Sequence, residues 1–171
     1  MPITPDTKNW TWVLEAPCPD CHYDSSRVAF RDIPGLVRSN AALWPPRLTR
    51  PDARERPDDA TWSPLEYGAH VRDVFRVFTG RLILMLTEDA PEFANWDQDA
   101  TAVDDDYRAQ DPRRVASELV AAAESAAAAF AAVADSELGR TGLRSDGSAF
   151  TVESLGRYFL HDPIHHWHDV A

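Results

Sequence analysis

Two helix starts that are marked by proline constrain the fold of this chain more than any other feature of its sequence. Ser63-Pro64-Leu65-Glu66 has an N-cap serine, a proline at the first helical position and a glutamate three residues after the cap, which is the pattern of a capping box. Asp111-Pro112 repeats the cap and the proline. Apolar residues follow both starts at helical spacing, so we predict long helices that run through Leu86 and to Val133.

Two further helices are predicted on either side of this pair. One runs from Asp32 to Trp44, where the Pro45-Pro46 pair should end or kink it, and the other starts near Thr151 and carries the C-terminal histidines. Residues 138–148 contain three glycines and are predicted as turns. Because strand signals are scarce, the predicted fold class is all-α, a four-helix bundle.

The segments outside the helices set the predicted domain organisation. Residues 1–31 are predicted as an irregular N-terminal extension and residues 32–171 as the bundle domain. Residues 88–111 hold nine acidic side chains and one arginine, and we predict one long acidic crossover loop there. Within it, Trp96-Asp97-Gln98-Asp99 is either a cover over a metal site or part of a solvated loop.

Composition excludes several classes of partner. The formal net charge is −11, from 17 basic and 28 acidic side chains, which argues against binding to nucleic acids or to anionic membrane surfaces. No apolar run approaches the roughly 20 residues of a membrane span. Residues 1–6 lack the basic and apolar regions of a signal peptide, so a cytoplasmic protein is expected.

The two cysteines lie in the segment Cys18-Pro19-Asp20-Cys21, which His22 follows. This spacing is compatible with a redox pair or with half of a zinc site, although Cys18, Cys21 and His22 supply at most three of the four ligands that a structural zinc ion needs. A proline-shaped turn with two reduced thiols is the structural alternative, since disulfides are rare in the cytosol.

Four of the six histidines lie in the last dozen residues. His161 and His165 are four residues apart and therefore share one face of a helix. His168 falls near the same face, whereas His166 points away from it. Imidazole is a common zinc ligand, and a third ligand is expected from His70 in the second predicted helix. The structural alternative for the C-terminal histidines is a fraying last turn.

Two motifs resemble the DinB-like superfamily, which includes mycothiol- and bacillithiol-dependent enzymes. The first is Thr61-Trp62-Ser63-Pro64-Leu65-Glu66-Tyr67-Gly68-Ala69-His70, and the second is Tyr158-Phe159-Leu160-His161-Asp162-Pro163-Ile164-His165-His166. The order of the segments also fits from about residue 30 onward. The resemblance implies a four-helix bundle that holds a divalent metal ion through one histidine of the second helix and two ligands of the last helix.

The metal ligands that the resemblance implies are His70, His161 and His165. The metal is expected to be zinc, with nickel as the alternative, because histidine suits both ions. Some thiol-dependent members of the superfamily have a glutamate where this chain has His161. One of the acids Asp73, Asp162 and Asp169 is expected to accept the free ring N–H of a ligand histidine.

The activity that the resemblance implies is the metal-dependent activation of a low-molecular-weight, mycothiol-like thiol, either for transfer to a small electrophile or for isomerisation of that electrophile. A metal-dependent hydrolase that uses bound hydroxide is the first alternative. The second alternative is a non-catalytic metal-binding or stress-associated interaction protein. The expected partners are a small-molecule substrate or thiol, and the bundle is compatible with a homodimer.

Overall fold

The computed structural model describes residue 3 and residues 8–171. Within them the chain forms α-helices joined by turns and three short β-strands. The helices are α1 (Ile33–Ala41), α2 (Trp44–Leu48), α3 (Pro64–Thr87), α4 (Gln98–Asp104), α5 (Pro112–Ala131) and α6 (Val152–Val170). The strands are β1 (Glu92–Phe93), β2 (Thr141–Arg144) and β3 (Ala149–Thr151).

Residues 1, 2 and 4–7 lie outside the described residues. They include part of the predicted N-terminal extension. They also include most of residues 1–6, from which the absence of a signal peptide was predicted. In the part of the chain that the structure describes, no helix is long and apolar enough to cross a membrane. A cytoplasmic location stays a prediction.

The long helices begin where the sequence predicts them. The Ser63 hydroxyl accepts a hydrogen bond from the Glu66 N–H at 3.3 Å, and the Glu66 carboxylate accepts one from the Ser63 N–H at 2.9 Å, so the predicted capping box opens α3. Asp111 caps α5 and Thr151 caps α6 in the same way, through a side-chain oxygen that accepts from a backbone N–H. Local hydrogen bonding therefore accounts for all three starts.

The predicted first helix divides into α1 and α2. α1 ends at Ala41 instead of Trp44, and Pro45 and Pro46 lie in the first turn of α2. A proline fits there because the N–H that it lacks would have no partner inside the helix. The proline pair therefore opens a short helix, where the sequence analysis predicted that it ends or kinks a longer one.

The fold is not purely helical, because three short strands pair in one sheet. β1 runs parallel to β2, with Glu92 opposite Leu143, and β2 runs antiparallel to β3, with Thr141 opposite Thr151. The predicted turn region 138–148 therefore contains most of a β-hairpin. Strands this short offer too few residues for an alternating pattern to be recognised in the sequence.

The predicted acidic crossover loop contains regular structure. Residues 88–111 include β1, α4 and a 3₁₀ turn at Tyr107–Ala109. Tyr107 is fully buried, and its hydroxyl donates a hydrogen bond to Asp73 of α3 at 2.6 Å. The segment is thus held at β1 and again at Tyr107, which explains how so acidic a stretch is kept against the bundle.

Asp73 is the centre of a buried polar network. Arg72 donates to its two carboxylate oxygens at 2.9 and 2.8 Å, and Arg76 donates to it at 3.0 Å. Arg72 also donates to Glu118 of α5 at 3.0 Å, so the network links α3, α5 and the acidic segment. Burial alone would raise the pKa of Asp73, but the hydrogen bonds from Arg72 and Tyr107 outweigh it and hold that pKa below its ordinary value.

The apolar core lies between four helices, since α3 packs against α5 and α6, and α1 packs against the same two helices. Phe159 of α6 lies inside it. Its ring stacks on Phe130 of α5 at a centroid distance of 5.1 Å and on Phe78 of α3 at 5.3 Å. Gly156, one turn earlier, permits a close approach, because a Cβ there would lie 2.8 Å from the side chain of Ile33.

Residues 8–32 pack against the bundle through buried side chains. They form three 3₁₀ turns: Trp10–Leu14, Ser25–Arg27 and Phe30–Asp32. Val13, Cys18 and Tyr23 are buried, and the Tyr23 hydroxyl donates to the backbone carbonyl of Arg157 on α6 at 2.6 Å. The predicted domain boundary at residue 31 stays a prediction, but the segment before it contributes to the core.

Replacement of Ser63 by alanine should lower the free energy of unfolding by about 1 kcal/mol, because the first turn of α3 loses the acceptor that caps it. Urea unfolding followed by circular dichroism measures the change. Ser125, which is exposed in the middle of α5, is the matched control, and its alanine variant should stay within about 0.5 kcal/mol of the parent. Equal stability of the two variants would contradict a contribution from the capping box.

Candidate metal centres

The C-terminal half of α6 presents metal-ligating side chains on two adjoining faces. The helix continues from Val152 to Val170 with Pro163 in its interior. His161 and His165 share one face because they are four residues apart, and Asp162 and His166 share the next face for the same reason. Each face meets a different part of the protein.

One cluster of candidate ligands joins α3 to α6. Its members are His70, Asp162 and His166, whose ligating atoms all lie within 4.8 Å of one another. Nε2 of His70 is 3.2 Å from Oδ1 of Asp162, and Nε2 of His166 is 3.6 Å from the same oxygen. Two ligand atoms at 2.0–2.1 Å from a tetrahedral zinc ion are about 3.3 Å apart, so these distances suit a shared cation. We call this group the His–Asp cluster.

The imidazole rings of the His–Asp cluster are oriented by their surroundings. Nδ1 of His166 bonds to the carboxylate of Asp169 at 3.0 Å, which directs Nε2 toward Asp162. A carboxylate in this position fixes the ring orientation and tautomer of a metal-binding histidine. His70 is fully buried, its ring stacks on Trp96 at a centroid distance of 5.3 Å, and its Nδ1 has no hydrogen-bond partner among the described residues.

The donor set of the His–Asp cluster fits a divalent cation. Burial would raise the pKa of Asp162, but His70 and His166 outweigh it and lower that pKa to about 2, so the carboxylate is ionised at neutral pH. An ionised carboxylate and neutral imidazoles are the forms that bind metal ions. Two histidines and one carboxylate also match catalytic zinc sites, in which three protein ligands leave a position open.

A second cluster joins the N-terminal segment to the other face of α6. Its members are Cys18, Cys21, His161 and His165, whose ligating atoms also lie within 4.8 Å of one another. Sγ of Cys18 is 3.6 Å from Nδ1 of His165. His161 is only 5% exposed, and in the described part of the chain its Nε2 has no hydrogen-bond partner. We call this group the Cys–His cluster.

A tight turn places the two cysteines side by side. The Cys18 N–H donates to the Tyr23 carbonyl at 2.8 Å, and the His22 N–H donates to the Cys18 carbonyl at 2.9 Å. His22 has a φ of 59° and is exposed, so it belongs to the turn and to neither cluster. Burial raises the pKa of Cys21 to about 11, and burial together with His165 lowers the pKa of His161 to about 4.

The three ligands predicted from the sequence are divided between the two clusters. His161 and His165 lie together in the Cys–His cluster, whereas His70 lies in the His–Asp cluster. The sequence analysis gave no ligand role to Asp162 and predicted that His166 points away from the site. These two residues have the same four-residue spacing as His161 and His165, and that spacing is the signal that could have identified them.

The remaining predicted residues have clear positions. His168 is exposed and belongs to neither cluster. Of the three acids predicted to accept the ring N–H of a ligand histidine, Asp162 lies 3.2 Å from Nε2 of the predicted ligand His70. Asp169 bonds instead to His166, which was not a predicted ligand. The supporting role stays a prediction. Asp73 instead belongs to the arginine and tyrosine network of α3.

A cavity of about 380 Å³ adjoins both clusters. Asp162, His166 and Asp169 line it, as do His161 and His165, whereas the two cysteines do not. The lining also includes three aromatic side chains, those of Trp10, Trp62 and Tyr67. The volume is at the lower end of the range for small-molecule sites, and the convergence of polar groups on an aromatic-walled cleft is typical of such sites.

The acidic segment covers the His–Asp cluster. Trp96 stacks on the His70 ring with an interplanar angle of 2°, and its indole N–H donates to Thr101 of α4 at 2.8 Å. Gln98 and Asp99 line the cavity. The segment therefore lies against the candidate cluster, and its role as a cover over a metal site stays a prediction.

Comparison with known proteins agrees with this architecture. YfiT from Bacillus subtilis, described as a probable metal-dependent hydrolase with an unusual four-helix bundle topology, superposes with a TM-score of 0.69 over 98% of this chain and 91% of that chain, at 20% sequence identity. No curated protein matches the sequence. The sequence model of the DinB superfamily matches residues 41–170, and the chain therefore belongs to the DinB superfamily.

Proposed function

We propose that this protein is a metal-dependent hydrolase and that His70, Asp162 and His166 hold its divalent cation, with zinc as the expected ion. The observation that carries the proposal is that these three ligating groups lie within 4.8 Å of one another and that two of them, Asp162 and His166, line a cavity that can admit a small molecule. When bound there, such a cation acidifies a water molecule and polarises a carbonyl or phosphoryl oxygen.

The residues around the cluster have separate tasks in this proposal. Asp169 holds His166 in the orientation that a ligand needs. Trp96 lies flat on His70 and Trp62 lies at a centroid distance of 5.5 Å from it, so the α3 side of the site is closed to bulk water by aromatic rings. A water-poor site strengthens the interaction between the ligands and a cation.

The charge of the cavity selects for substrates that are not strongly anionic. Four carboxylates and one ammonium group line it, from Asp20, Asp99, Asp162, Asp169 and Lys8. Addition of a dication would leave the site with about one net negative charge, counted from these side chains. An uncharged or cationic ester or amide therefore suits the cavity better than a phosphate ester does.

The description of YfiT as a probable metal-dependent hydrolase supports the same class of reaction. The thiol transferase or isomerase that the superfamily resemblance implies needs a low-molecular-weight thiol as co-substrate, and hydrolysis needs only water. One screen separates them: metal-loaded protein is incubated with small esters and amides, and with small electrophiles, in the presence and absence of a thiol. Turnover without thiol supports the hydrolase, and turnover that requires thiol would overturn it in favour of the transferase.

Replacement of Asp169 by asparagine should weaken metal binding at the His–Asp cluster by about 10- to 100-fold, because the His166 ring loses the charged acceptor that orients it. The measurement is the chelator concentration that halves hydrolytic activity. Asp99→Asn is the matched control, since Asp99 lines the same cavity but is not a member of the cluster. If both variants tolerate the same chelator concentration as the parent, Asp169 does not support the ligand.

A further inference from the structure

The Cys–His cluster is not used by the proposed hydrolase, yet it has the composition of a metal site. Two cysteines separated by two residues and two histidines separated by three residues are the ligand spacings of structural zinc sites. The two pairs are far apart in the sequence and meet only because the N-terminal segment folds onto α6. Neither pair alone could supply four ligands.

The distance between the ligating atoms of Cys18 and His165 agrees with a tetrahedral ion. Zinc–sulfur bonds of about 2.3 Å and zinc–nitrogen bonds of about 2.0–2.1 Å separate the two ligand atoms by about 3.5–3.6 Å. Sγ of Cys18 and Nδ1 of His165 are 3.6 Å apart. The ligating atoms of all four residues lie within 4.8 Å of one another, which is close enough for small side-chain adjustments to complete the shell.

The burial of the cluster also indicates that its polar atoms bind a ligand. Cys18 is 1% exposed and His161 is 5% exposed. Nε2 of His161 has no hydrogen-bond partner among the described residues, and a buried polar atom without a partner is destabilising. Coordination of a metal ion by this nitrogen would remove that penalty.

We propose that Cys18, Cys21, His161 and His165 bind a zinc ion in a structural site, distinct from the His–Asp cluster, that fastens the N-terminal segment to α6. Both thiols lose their protons to solvent when the ion binds, so two thiolates balance the charge of the dication. All four tetrahedral positions are then filled by protein, which is the arrangement of structural zinc sites rather than catalytic ones. The cysteines accordingly lie away from the cavity lining.

This site has a consequence for the shape of the cavity. The Trp10 ring lies at centroid distances of 5.6 Å from His161 and 5.3 Å from His165, and Trp10 is one of the cavity walls. Asp20, between the two cysteines, lines the cavity as well. A metal ion in the Cys–His cluster would therefore hold one wall of the cavity in place while taking no part in the chemistry.

The first test compares the metal content of full-length, tag-free proteins purified without chelator. The Cys18→Ser, Cys21→Ser double variant should bind one equivalent of zinc less than the parent, and His70→Ala should keep the zinc that the double variant loses. His168→Ala is the matched control, because His168 is an exposed histidine of the same helix outside both clusters. Equal zinc content in the parent and the double variant would overturn the proposal.

A second test uses the spectrum of cobalt(II) in place of zinc. A thiolate-to-cobalt charge-transfer band is expected in the parent and in His70→Ala, and it should be absent from the double cysteine variant. Because the band arises from sulfur ligands, it is independent of hydrolytic activity, and failure of the hydrolase proposal would leave it unchanged. A cobalt complex of the parent without this band would contradict the site.

The third test does not depend on a variant that folds. In the zinc-loaded parent both thiols should resist alkylation, and a chelator that removes the zinc ion from the Cys–His cluster should expose both of them. Thiols that react equally fast before and after chelation would overturn the proposal. So would the recovery of a Cys18–Cys21 disulfide from protein that was purified anaerobically, since it would identify the pair as a redox couple.

Discussion

Replacement of His70 by alanine should lower kcat/KM for the proposed hydrolytic reaction by about 1,000-fold or more. His70 is the single ligand that α3 contributes to the His–Asp cluster, and without it the cation is held by α6 alone. The electrostatic stabilisation that a catalytic cation provides amounts to several kcal/mol, and about 4 kcal/mol corresponds to a factor of about 1,000 in rate. Steady-state kinetics on the best substrate of the screen measure the loss.

Two controls separate a ligand role from a structural one. His168→Ala changes a histidine that is exposed on α6 and should leave kcat/KM unchanged. Because His70 is buried beneath Trp96, thermal unfolding of His70→Ala must also be recorded, and a folded variant is expected. Full activity in a folded His70→Ala protein would exclude the His–Asp cluster as the catalytic metal site.

Replacement of Asp73 by alanine should lower the free energy of unfolding by about 3 kcal/mol. The change leaves the guanidinium of Arg72, which is 5% exposed, without the carboxylate that accepts two of its hydrogen bonds. Removal of one partner of a buried ion pair costs about 3–5 kcal/mol, and the remaining contact of Arg72 with Glu118 places the expected loss at the lower end. Urea unfolding at neutral pH measures it.

The loss of stability in Asp73→Ala is expected to depend on pH. The pKa of Asp73 is lower in the folded protein than the ordinary value of about 3.9, so its contribution to stability is complete above that pH and is lost as the pH falls through the folded-state pKa. The difference in unfolding free energy between parent and Asp73→Ala should therefore shrink below about pH 4. Arg76→Ala, which removes an exposed member of the network, should show a much smaller difference at neutral pH. If the difference between the parent and Asp73→Ala stays constant down to pH 2, the carboxylate of Asp73 does not make the predicted contribution to stability.

The helix starts were predictable because they depend on local chemistry. Ser63, Asp111 and Thr151 each satisfy backbone N–H groups within the same turn, and the proline after two of them is compatible only with that position. The sheet was not predictable in the same way. β1 pairs with β2 across about 50 residues of chain, so no local pattern records the pairing.

The candidate metal centres were predictable only in part, for a geometric reason. Sequence spacing identifies which side chains of α6 share a face, but the rotation of α6 against α3 decides which face meets His70. A turn of about 100°, the angle between consecutive residues, exchanges His161 and His165 for Asp162 and His166. His161 and His165 meet the Cys18–Cys21 turn, and that turn lies in an irregular segment whose path cannot be predicted from a helical pattern.

Pairing of β1 with β2, together with burial of Tyr107, anchors both ends of the stretch from residue 94 to residue 106. Because both ends of the stretch are fixed, the conformational entropy of its residues is lost when the chain folds. It is not lost again each time a ligand binds. This stretch, which contains no member of either cluster, therefore lies over His70 in the folded protein before any ligand binds. Substitutions at Gln98 or Asp99 of this segment would change the wall of the cavity without replacing a candidate ligand on α3 or α6.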